Sequence, residues 1–337
     1  MGAPRAPSHW SSRGAVASAL LPLAGVFGSL AALRRAAFRL GLVQSASSSR
    51  PVIVVGNIAV GGSGKTPVVA WLVDELRRAG HRPGIVSRGY GRQGEGLRVV
   101  DERTPVAEAG DEPVLLAALC GCPVVVGRDR PAAVARLLEH FPGCSVVISD
   151  DGLQHYAMQR SVEIAVVDEQ VLGNGWLLPA GPLREPRSRL ASVDLVLMHG
   201  PLAAPTRAAL GRVPCYDMHL APGDPRPLDG GAVVPLAAWR GRKVHALAGI
   251  GRPERFFETL RAAGVEVLPH PFPDHHAFAP ADLRLSPPLP LMMTSKDAVK
   301  CRPFAPPDSW ELPVRAVIAE GAAHTILEKL PDGQSPA

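Results

Sequence analysis

Cysteine, aromatic residues and lysine are all scarce in this chain of 337 residues. Its five cysteines are an odd number, and no two of them have CxxC spacing, so the sequence indicates neither a disulfide framework nor a zinc site. We interpret them as small buried apolar residues of a protein in a reducing, cytosolic compartment.

Aromatic residues make up only 5% of the chain. The sequence has no helix-turn-helix, zinc finger or basic stripe with interleaved aromatics, so we predict no nucleic-acid partner. The formal net charge of +5, from 36 basic and 31 acidic residues, predicts a basic surface suited to phosphates, acidic lipid headgroups or nucleic acid. Charge alone does not choose among these, and the sequence indicates no obligate protein partner.

Charged residues are absent from positions 14–33, a stretch flanked by arginines on both sides. It is long enough to span a bilayer, but Pro22, Gly25, Gly28 and the positive charge at both ends argue against a firm spanning assignment. An interfacial anchor and an ordinary buried helix remain alternatives. A cleaved signal peptide is disfavoured because it would export a nucleotide-binding protein. Membrane association is favoured.

A phosphate-binding loop follows the apolar strand predicted at residues 51–55. It fits the Walker A pattern except that alanine replaces the first glycine, and we predict that it binds nucleotide through Ala59, Val60, Gly61, Gly62, Ser63, Gly64, Lys65 and Thr66. Glycines let backbone N–H groups wrap a phosphate, lysine reaches the β- and γ-oxygens, and the hydroxyl holds magnesium. A helix is predicted over residues 66–79.

Strands and helices continue to alternate beyond this unit, which predicts an α/β fold with a doubly wound, mostly parallel sheet. The predicted strands are 85–86, 123–126, 145–149, 162–167 and 193–198, and the helices are 113–120 and 130–140. Residues 201–241 are rich in Pro and Gly and lose periodicity. A second, smaller α/β unit follows, with strands at 244–248, 265–268 and 289–293 and a helix at 253–263.

This pattern predicts four segments. They are an N-terminal membrane-associated helix (1–43), a P-loop kinase domain (44–205), a linker (206–240) and a smaller C-terminal α/β domain (241–337).

Two pairs of adjacent carboxylates are candidates for metal binding. Asp150 and Asp151 follow a buried strand as in a Walker B motif, although an aspartate there is commonly a helix N-cap. Asp111 and Glu112 begin a predicted helix. They either compensate the helix dipole or supply a magnesium ligand and a base.

Two basic loops, at residues 87–92 and 181–189, contain Arg88 and Arg184 and are suited to clamping phosphates. Asp274, His275 and His276 form the tight acid-histidine cluster of the second unit, for which a metal site, a base-orienting pair and a polar loop all remain open. GIG at 249–251 lacks the third glycine of a dinucleotide fingerprint.

Six strings in order along the chain resemble one family, the tetraacyldisaccharide 4'-kinases (lipid A 4'-kinases) of Gram-negative bacteria. They are VGNIAVGGSGKTP at 55–67, SRGYG at 87–91, GDEP at 110–113, SDDGLQH at 149–155, PAGPLREP at 179–186 and DH at 274–275. The P-loop is generic, whereas SDDGLQH and GPLREP are specific to that family.

The resemblance implies transfer of the γ-phosphate of ATP to the 4'-hydroxyl of a tetraacylated glucosamine disaccharide 1-phosphate in lipid A biosynthesis. It implies ATP and Mg²⁺ as cofactors, a lipid substrate, and a location at the cytoplasmic face of the inner membrane. By the same resemblance Asp111 is the general base, His275 its partner from the other domain and Lys65 the phosphate-binding lysine.

The remaining roles also come from the resemblance. Thr66, Glu112 and Gln154 resemble magnesium ligands or orienting residues, Asp150 and Asp151 the Walker B carboxylates, and Arg184 a phosphate contact. Ser295 departs from the usual TEKD string of the family, so no role is predicted for that loop. A P-loop ATPase that couples hydrolysis to a conformational or insertion step is the alternative function, and it predicts hydrolysis that is independent of lipid.

Overall fold

The computed structural model describes residues 7–101 and 103–330. Within these ranges the chain forms two β-sheets with helices packed against them. In chain order the strands are β1 (Val52–Gly56), β2 (Pro83–Ser87), β3 (Arg98–Val100), β4 (Val124–Val126), β5 (Val146–Asp150), β6 (Val162–Val167), β7 (Leu195–His199), β8 (Cys215–Pro222), β9 (Arg226–Pro227), β10 (Lys243–Ala248), β11 (Glu266–Pro271), β12 (Leu291–Thr294), β13 (Ser309–Leu312) and β14 (Val314–Ile318).

The larger sheet has nine strands in the order β14-β8-β7-β6-β1-β5-β2-β4-β3. All neighbours pair in parallel except the two edge strands β14 and β3, which are antiparallel to their partners. The smaller sheet has the order β11-β10-β12-β13-β9 and is parallel apart from β9. The predicted α/β class with a doubly wound, mostly parallel sheet is confirmed.

Eleven α-helices occur in the described part of the chain. They are α1 (Ala15–Ala19), α2 (Leu21–Arg39), α3 (Lys65–Arg78), α4 (Val106–Ala109), α5 (Asp111–Cys120), α6 (Arg130–His140), α7 (Glu169–Leu172), α8 (Ala204–Leu210), α9 (Pro253–Ala262), α10 (Ser295–Cys301) and α11 (Ala322–Leu327).

The core explains why the central strands are apolar at every position. Ile53 and Val55 pack into a cluster on one face of the large sheet, whereas Val52 and Val54 pack into another on the opposite face. Because helices cover both faces, successive side chains of β1 are all buried.

Two expectations for the chain beyond residue 201 are wrong. The segment 206–240, predicted as a linker, contains most of α8 and the strands β8 and β9. The segment 241–337, predicted as one smaller domain, includes β14, which returns to the large sheet and pairs with β8. β14 lies at an edge and β8 lies next to it, and each strand has only one buried residue, so neither has the apolar run of a central strand. Residues 1–6 and 331–337 of the predicted segments lie outside the described residues.

The N-terminal helix α2 is largely exposed. It is long and apolar enough to cross a membrane, judged by length and composition, and few of its residues are buried. Its underside contacts the loop that carries Arg184, since a Cβ added at Gly28 would lie 2.6 Å from Leu177. Trp10 Nε1 donates to the carbonyl of Pro179 at 3.0 Å. The exposed apolar side therefore faces away from the body of the protein.

Candidate active site

The phosphate-binding loop connects β1 to α3, as predicted. Gly61 and Gly64 adopt positive φ values of 129° and 91°, a region that favours glycine. The start of the loop is fixed, because Ala59 is buried and the amide of Val60 donates to the carbonyl of Pro182 at 2.9 Å. The loop ends at the N-terminus of α3, where unpaired amides and the helix dipole favour an anion.

Lys65 and Ser63 direct polar atoms into this loop region. Lys65 Nζ lies 3.5 Å from the carbonyl of Gly61 and 3.7 Å from Asp151 Oδ1. The Oγ of Ser63 is buried and has no hydrogen-bond partner within the described chain. A buried hydroxyl without a partner is costly, and a bound phosphate oxygen would satisfy it. Thr66, at the first turn of α3, is half-buried.

Asp150 and Asp151 end β5, the strand next to β1. Asp150 is buried, and Ser87 Oγ donates to it at 3.2 Å. Burial, reinforced by Glu112 and Asp151, raises the pKa of Asp150 to about 7. Burial alone would also raise the pKa of Asp151, but the charges of Lys65 and Arg184 hold that pKa well below its usual range. The charges of Lys65 and Arg130 also act on Asp150, but burial outweighs them, and the salt bridges of Lys65 and Arg184 go to Asp151.

Arg184 and Gln154 belong to one hydrogen-bonded network beside these carboxylates. Arg184 donates to Asp151 Oδ2 at 2.8 Å and to Gln154 Oε1 at 3.3 Å. The amide of Gln154 donates to Glu185 at 2.8 Å and to the carbonyl of Asn57 at 3.1 Å. Gln154 thus orients Arg184 in this structure.

Asp111 lies at the start of α5 after a glycine whose conformation is restricted. Gly110 has a φ of 93°, and a Cβ added there would lie 2.8 Å from the carbonyl oxygen of Tyr90. Burial by itself raises the pKa of Asp111, but the hydrogen bond from His275 and the charge of Lys296 lower it to about 2. Asp111 is therefore a buried carboxylate that stays ionised.

His275 comes from the loop after β11 and crosses to Asp111. Its Nδ1 lies 2.9 Å and 3.1 Å from the two carboxylate oxygens of Asp111. Burial lowers the pKa of His275, but the hydrogen bond with Asp111 outweighs it, so the net direction is upward. His276 instead contacts Asp282 at 3.1 Å. The tertiary structure thus brings His275, and not His276, to the predicted base.

The structure does not bring every predicted residue into one polar cluster. Arg88 is exposed, although its charge helps to lower the pKa of the half-buried His155 to about 4, after the larger effects of burial and Arg130. Glu112 is half-buried and lies close enough to Asp150 to raise the pKa of that residue. Lys65 from the phosphate-binding loop and Arg184 both contact Asp151 after β5.

Three functional features were missed in the sequence. Lys296 reaches the Asp111–His275 pair from α10, within the TSKD string that carried no predicted role. Arg130 is buried beneath β5 and donates to the carbonyl of Asp150 at 2.6 Å. Arg252 follows the GIG turn and donates to Asp168 at the end of β6. A basic residue at the start of a predicted helix was the available signal for Arg130 and Arg252, whereas no helix was predicted around Lys296.

The oxygen atoms at the end of β5 fit a magnesium ion. The described residues contain no group of three or more His, Cys, Asp or Glu side chains placed to hold a metal. Mg²⁺ is commonly bound by one or two carboxylates, a hydroxyl and phosphate oxygens rather than by a protein cage. Asp150, whose carboxylate forms no salt bridge among the described residues, and the hydroxyl of Thr66 match that requirement.

Comparison with known proteins agrees with this geometry. The family model for tetraacyldisaccharide-1-P 4'-kinase matches residues 16–331. The tetraacyldisaccharide 4'-kinase of Aromatoleum aromaticum is 57% identical over 98% of this chain and 99% of its own length, and that of an Azoarcus species is 56% identical over 99% and 98%. The crystal structure of LpxK from Aquifex aeolicus in complex with ATP is similar, with a TM-score of 0.80 and 28% identity over 94% of this chain and 100% of that one.

Proposed function

The chain belongs to the tetraacyldisaccharide-1-P 4'-kinase family, and from this premise we propose how its residues carry out the reaction. It is an ATP-dependent lipid kinase that transfers the γ-phosphate to the 4'-hydroxyl of a tetraacylated glucosamine disaccharide 1-phosphate in lipid A biosynthesis. In the proposed step, Asp111 accepts the proton of the 4'-hydroxyl, the hydroxyl oxygen bonds to the γ-phosphorus, and the bond from that phosphorus to the β-phosphate oxygen breaks to release ADP.

The observation that carries this assignment is the contact between Asp111 and His275. Asp111 is buried and ionised and accepts a hydrogen bond from a histidine 164 positions away. This pairing orients the carboxylate, and a fixed carboxylate within reach of a hydroxyl is what a general base requires. The bond joins the first residue of α5 to the loop after β11, so it forms only when the two parts of the protein are together.

The ATP half of the site consists of residues 59–66. Lys65 contacts oxygens of the β- and γ-phosphates, and the backbone amides between Gly61 and Thr66 surround the β-phosphate. Support for this comes from the two glycines with positive φ and from the unpartnered hydroxyl of Ser63. The alternative function, an ATPase without a small-molecule acceptor, needs this half alone and leaves Asp111 and His275 without a role.

Thr66 and Asp150 are proposed to hold Mg²⁺, with Glu112 and Asp151 nearby. When bound, the ion neutralises charge on the transferring phosphate. Arg184, which is fixed by Asp151 and Gln154, is proposed to contact substrate phosphate through its remaining guanidinium donors. Arg88 is proposed as a second such contact because it is exposed near the same edge.

Helix α2 is proposed to bind the cytoplasmic face of the inner membrane. Leu23, Leu30 and Leu33 are each more than half exposed, at 58%, 62% and 68%, and arginines lie close to both ends of the helix. Such a helix buries its apolar side in the interface while the arginines attract anionic headgroups. Because α2 packs on the loop that carries Arg184, it would deliver a lipid acceptor beside the site.

The direct test is phosphate transfer by the purified protein. The protein is incubated with ATP, Mg²⁺ and a lipid disaccharide 1-phosphate in detergent, and the lipid is analysed by thin-layer chromatography. We expect a lipid product with one additional phosphate. ATP hydrolysis at the same rate with and without lipid, and with no phosphorylated lipid, would support the ATPase alternative and contradict the kinase.

A further inference from the structure

Lys296 is a buried lysine of the site to which the mechanism above gives no role. It lies in the first turn of α10, where the side chain of Thr294 caps the helix by accepting from the amide of Asp297. Its side chain is only 15% exposed. Burying an ammonium group is costly unless it is paired and hydrogen-bonded, so its contacts indicate what holds it there.

Those contacts place the ammonium group between three carboxylates and one imidazole. Lys296 Nζ lies 3.2 Å from Asp274, 3.3 Å from Glu112 and 3.8 Å from Asp111. It also lies 3.3 Å from Nε2 of His275. Three carboxylates around one point would repel one another, and Lys296 is the cation that offsets this repulsion.

The hydrogen-bonding chemistry of these groups determines which nitrogen of His275 carries the proton. An ammonium group can only donate, and an ionised carboxylate can only accept. Nε2 of His275, facing Lys296, must therefore accept, and Nδ1 must carry the hydrogen that is donated to Asp111. A doubly protonated His275 would direct an N–H group at the ammonium of Lys296.

We propose that Lys296 is a positioning residue that fixes the orientation and tautomer of His275, with the Nδ1 proton donated to Asp111 and Nε2 facing the ammonium group. The inference rests on the proposed role of Asp111 as the base. A neutral imidazole orients the carboxylate and leaves it better able to take a proton than a directly bonded imidazolium would. The charged and titratable groups that face His275 are Asp111 from α5, Tyr90 from the loop after β2, Asp274 from its own loop and Lys296 from α10. Glu112 from α5 contacts Lys296, and the charge of Lys300 from α10 acts on Asp111.

The test that does not depend on activity is the protonation of His275 in the full-length protein. Long-range proton–nitrogen NMR spectra of the ¹⁵N-histidine protein, with His275 assigned by its loss in His275→Gln, report the protonated nitrogen at each pH. We expect the neutral form of the wild type to carry its proton on Nδ1, and the pKa of His275 to be higher in Lys296→Met. A proton on Nε2 in the wild type, or an unchanged titration in Lys296→Met, overturns the proposal.

Kinetic measurements separate positioning from a merely structural role. Lys296→Met is expected to lower kcat about tenfold or more while KM for ATP stays within about threefold, and the acidic limb of the kcat–pH profile moves to higher pH. Lys296→Arg keeps the charge and is expected to return that limb toward its wild-type position. Lys243→Met, which changes an exposed lysine of β10, is the matched control and leaves kcat and the profile unchanged.

The outcomes distinguish failure of this inference from failure of the proposed base. Full activity in Asp111→Asn removes the base assignment whatever the NMR spectra show. An inactive Asp111→Asn combined with identical His275 titrations in wild type and Lys296→Met contradicts the role of Lys296 alone. Loss of folding in Lys296→Met is detected by thermal melting, and the Lys296→Arg titration and pH profile then decide the question.

Discussion

Asp111 and Glu112 are neighbours in the sequence, but their side chains have different surroundings. Asp111 is 5% exposed and bonded to His275, whereas Glu112 is half-buried and contacts Lys296. Asp150 and Asp151 differ in the same way, because Arg184 and Lys65 face only the second of them closely. At the scale of single residues, the role of each carboxylate follows from which cation reaches it.

Replacement of the proposed base tests the residue scale directly. Asp111→Asn keeps the size of the side chain but removes its ability to take a proton, so kcat is expected to fall by about 100-fold or more with KM for ATP within about threefold. Steady-state kinetics with the lipid acceptor measure both. Lys65→Ala is the comparison, and it is expected to impair nucleotide binding as well as kcat. Equal effects of the two changes on KM would contradict the division of roles.

Helix α5 shows how an element places its first residue. Gly110 has positive φ and stands against the carbonyl of Tyr90, whereas Gly121, which ends the same helix, also has positive φ, of 52°, but has no atom within 4 Å of an added Cβ. Only the first of these glycines combines a backbone requirement with a steric one. The position of Asp111 therefore depends on the close approach of two loops.

The two glycines provide a matched pair of substitutions. Gly121→Ala is expected to cost about 1–2 kcal/mol of unfolding free energy from the left-handed backbone alone, with little change in kcat. Gly110→Ala is expected to cost more and to lower kcat, because the contact with Tyr90 forces Asp111 away from His275. Chemical denaturation and kinetics on both variants check this. A Gly110→Ala protein with wild-type kcat would show that Asp111 tolerates displacement.

Helix α2 is the element that carries the membrane prediction. Leu30→Glu combined with Leu33→Glu places charge on its exposed side, and cosedimentation with vesicles containing anionic lipid is expected to fall about tenfold or more. Val233→Glu, at an exposed apolar residue outside the helix, is the control and should bind as the wild type does. Both variants should keep the wild-type melting temperature, because the substituted side chains are exposed. Undiminished binding of the double variant would mean that another surface contacts the membrane.

The whole molecule is held together by contacts between the two sheets as well as by the catalytic pair. Asp168, at the end of β6, accepts from Arg252 and lies 2.9 Å from Arg255 at the start of α9. Arg252 also lies 3.4 Å from the carbonyl of Gly62 in the phosphate-binding loop. A Cβ added at Gly251 would lie 3.9 Å from the amide nitrogen of Gly62. The smaller sheet thus approaches the nucleotide loop directly.

This contact predicts a pH dependence of stability. Burial alone raises the pKa of Asp168, but Arg252 and Arg255 outweigh burial and lower it below its ordinary 3.8. A carboxylate with a lowered pKa stabilises the folded state above the unfolded-state value, and this contribution is lost as the pH falls through the folded-state pKa. Asp168→Asn is expected to lower the melting temperature at pH 6 by a few degrees, and the difference should shrink below pH 4. A constant difference at all pH values would contradict the ionic contribution of Asp168.

Local patterns in the sequence were sufficient for much of the fold. The strands and helices predicted between residues 51 and 200 are confirmed with ends shifted by at most two residues, because buried parallel strands are continuously apolar and their helices carry clear periodicity. The strands β8 and β14 were missed because they lie at the periphery of the large sheet and each buries only one residue. The short helix α10 was missed because seven residues, about two turns, are too few to show a period.

The sequence by itself determined that a P-loop, two pairs of carboxylates and two basic loops belong to the protein, since each is encoded by adjacent residues with a local conformational requirement. The family resemblance implied that His275 is the partner of Asp111, and only the tertiary structure decided how the two meet and that Lys296 joins them. These residues are separated by 164 and 21 positions. Contacts of that kind depend on how the two sheets pack against each other, and no local pattern of residues specifies that packing.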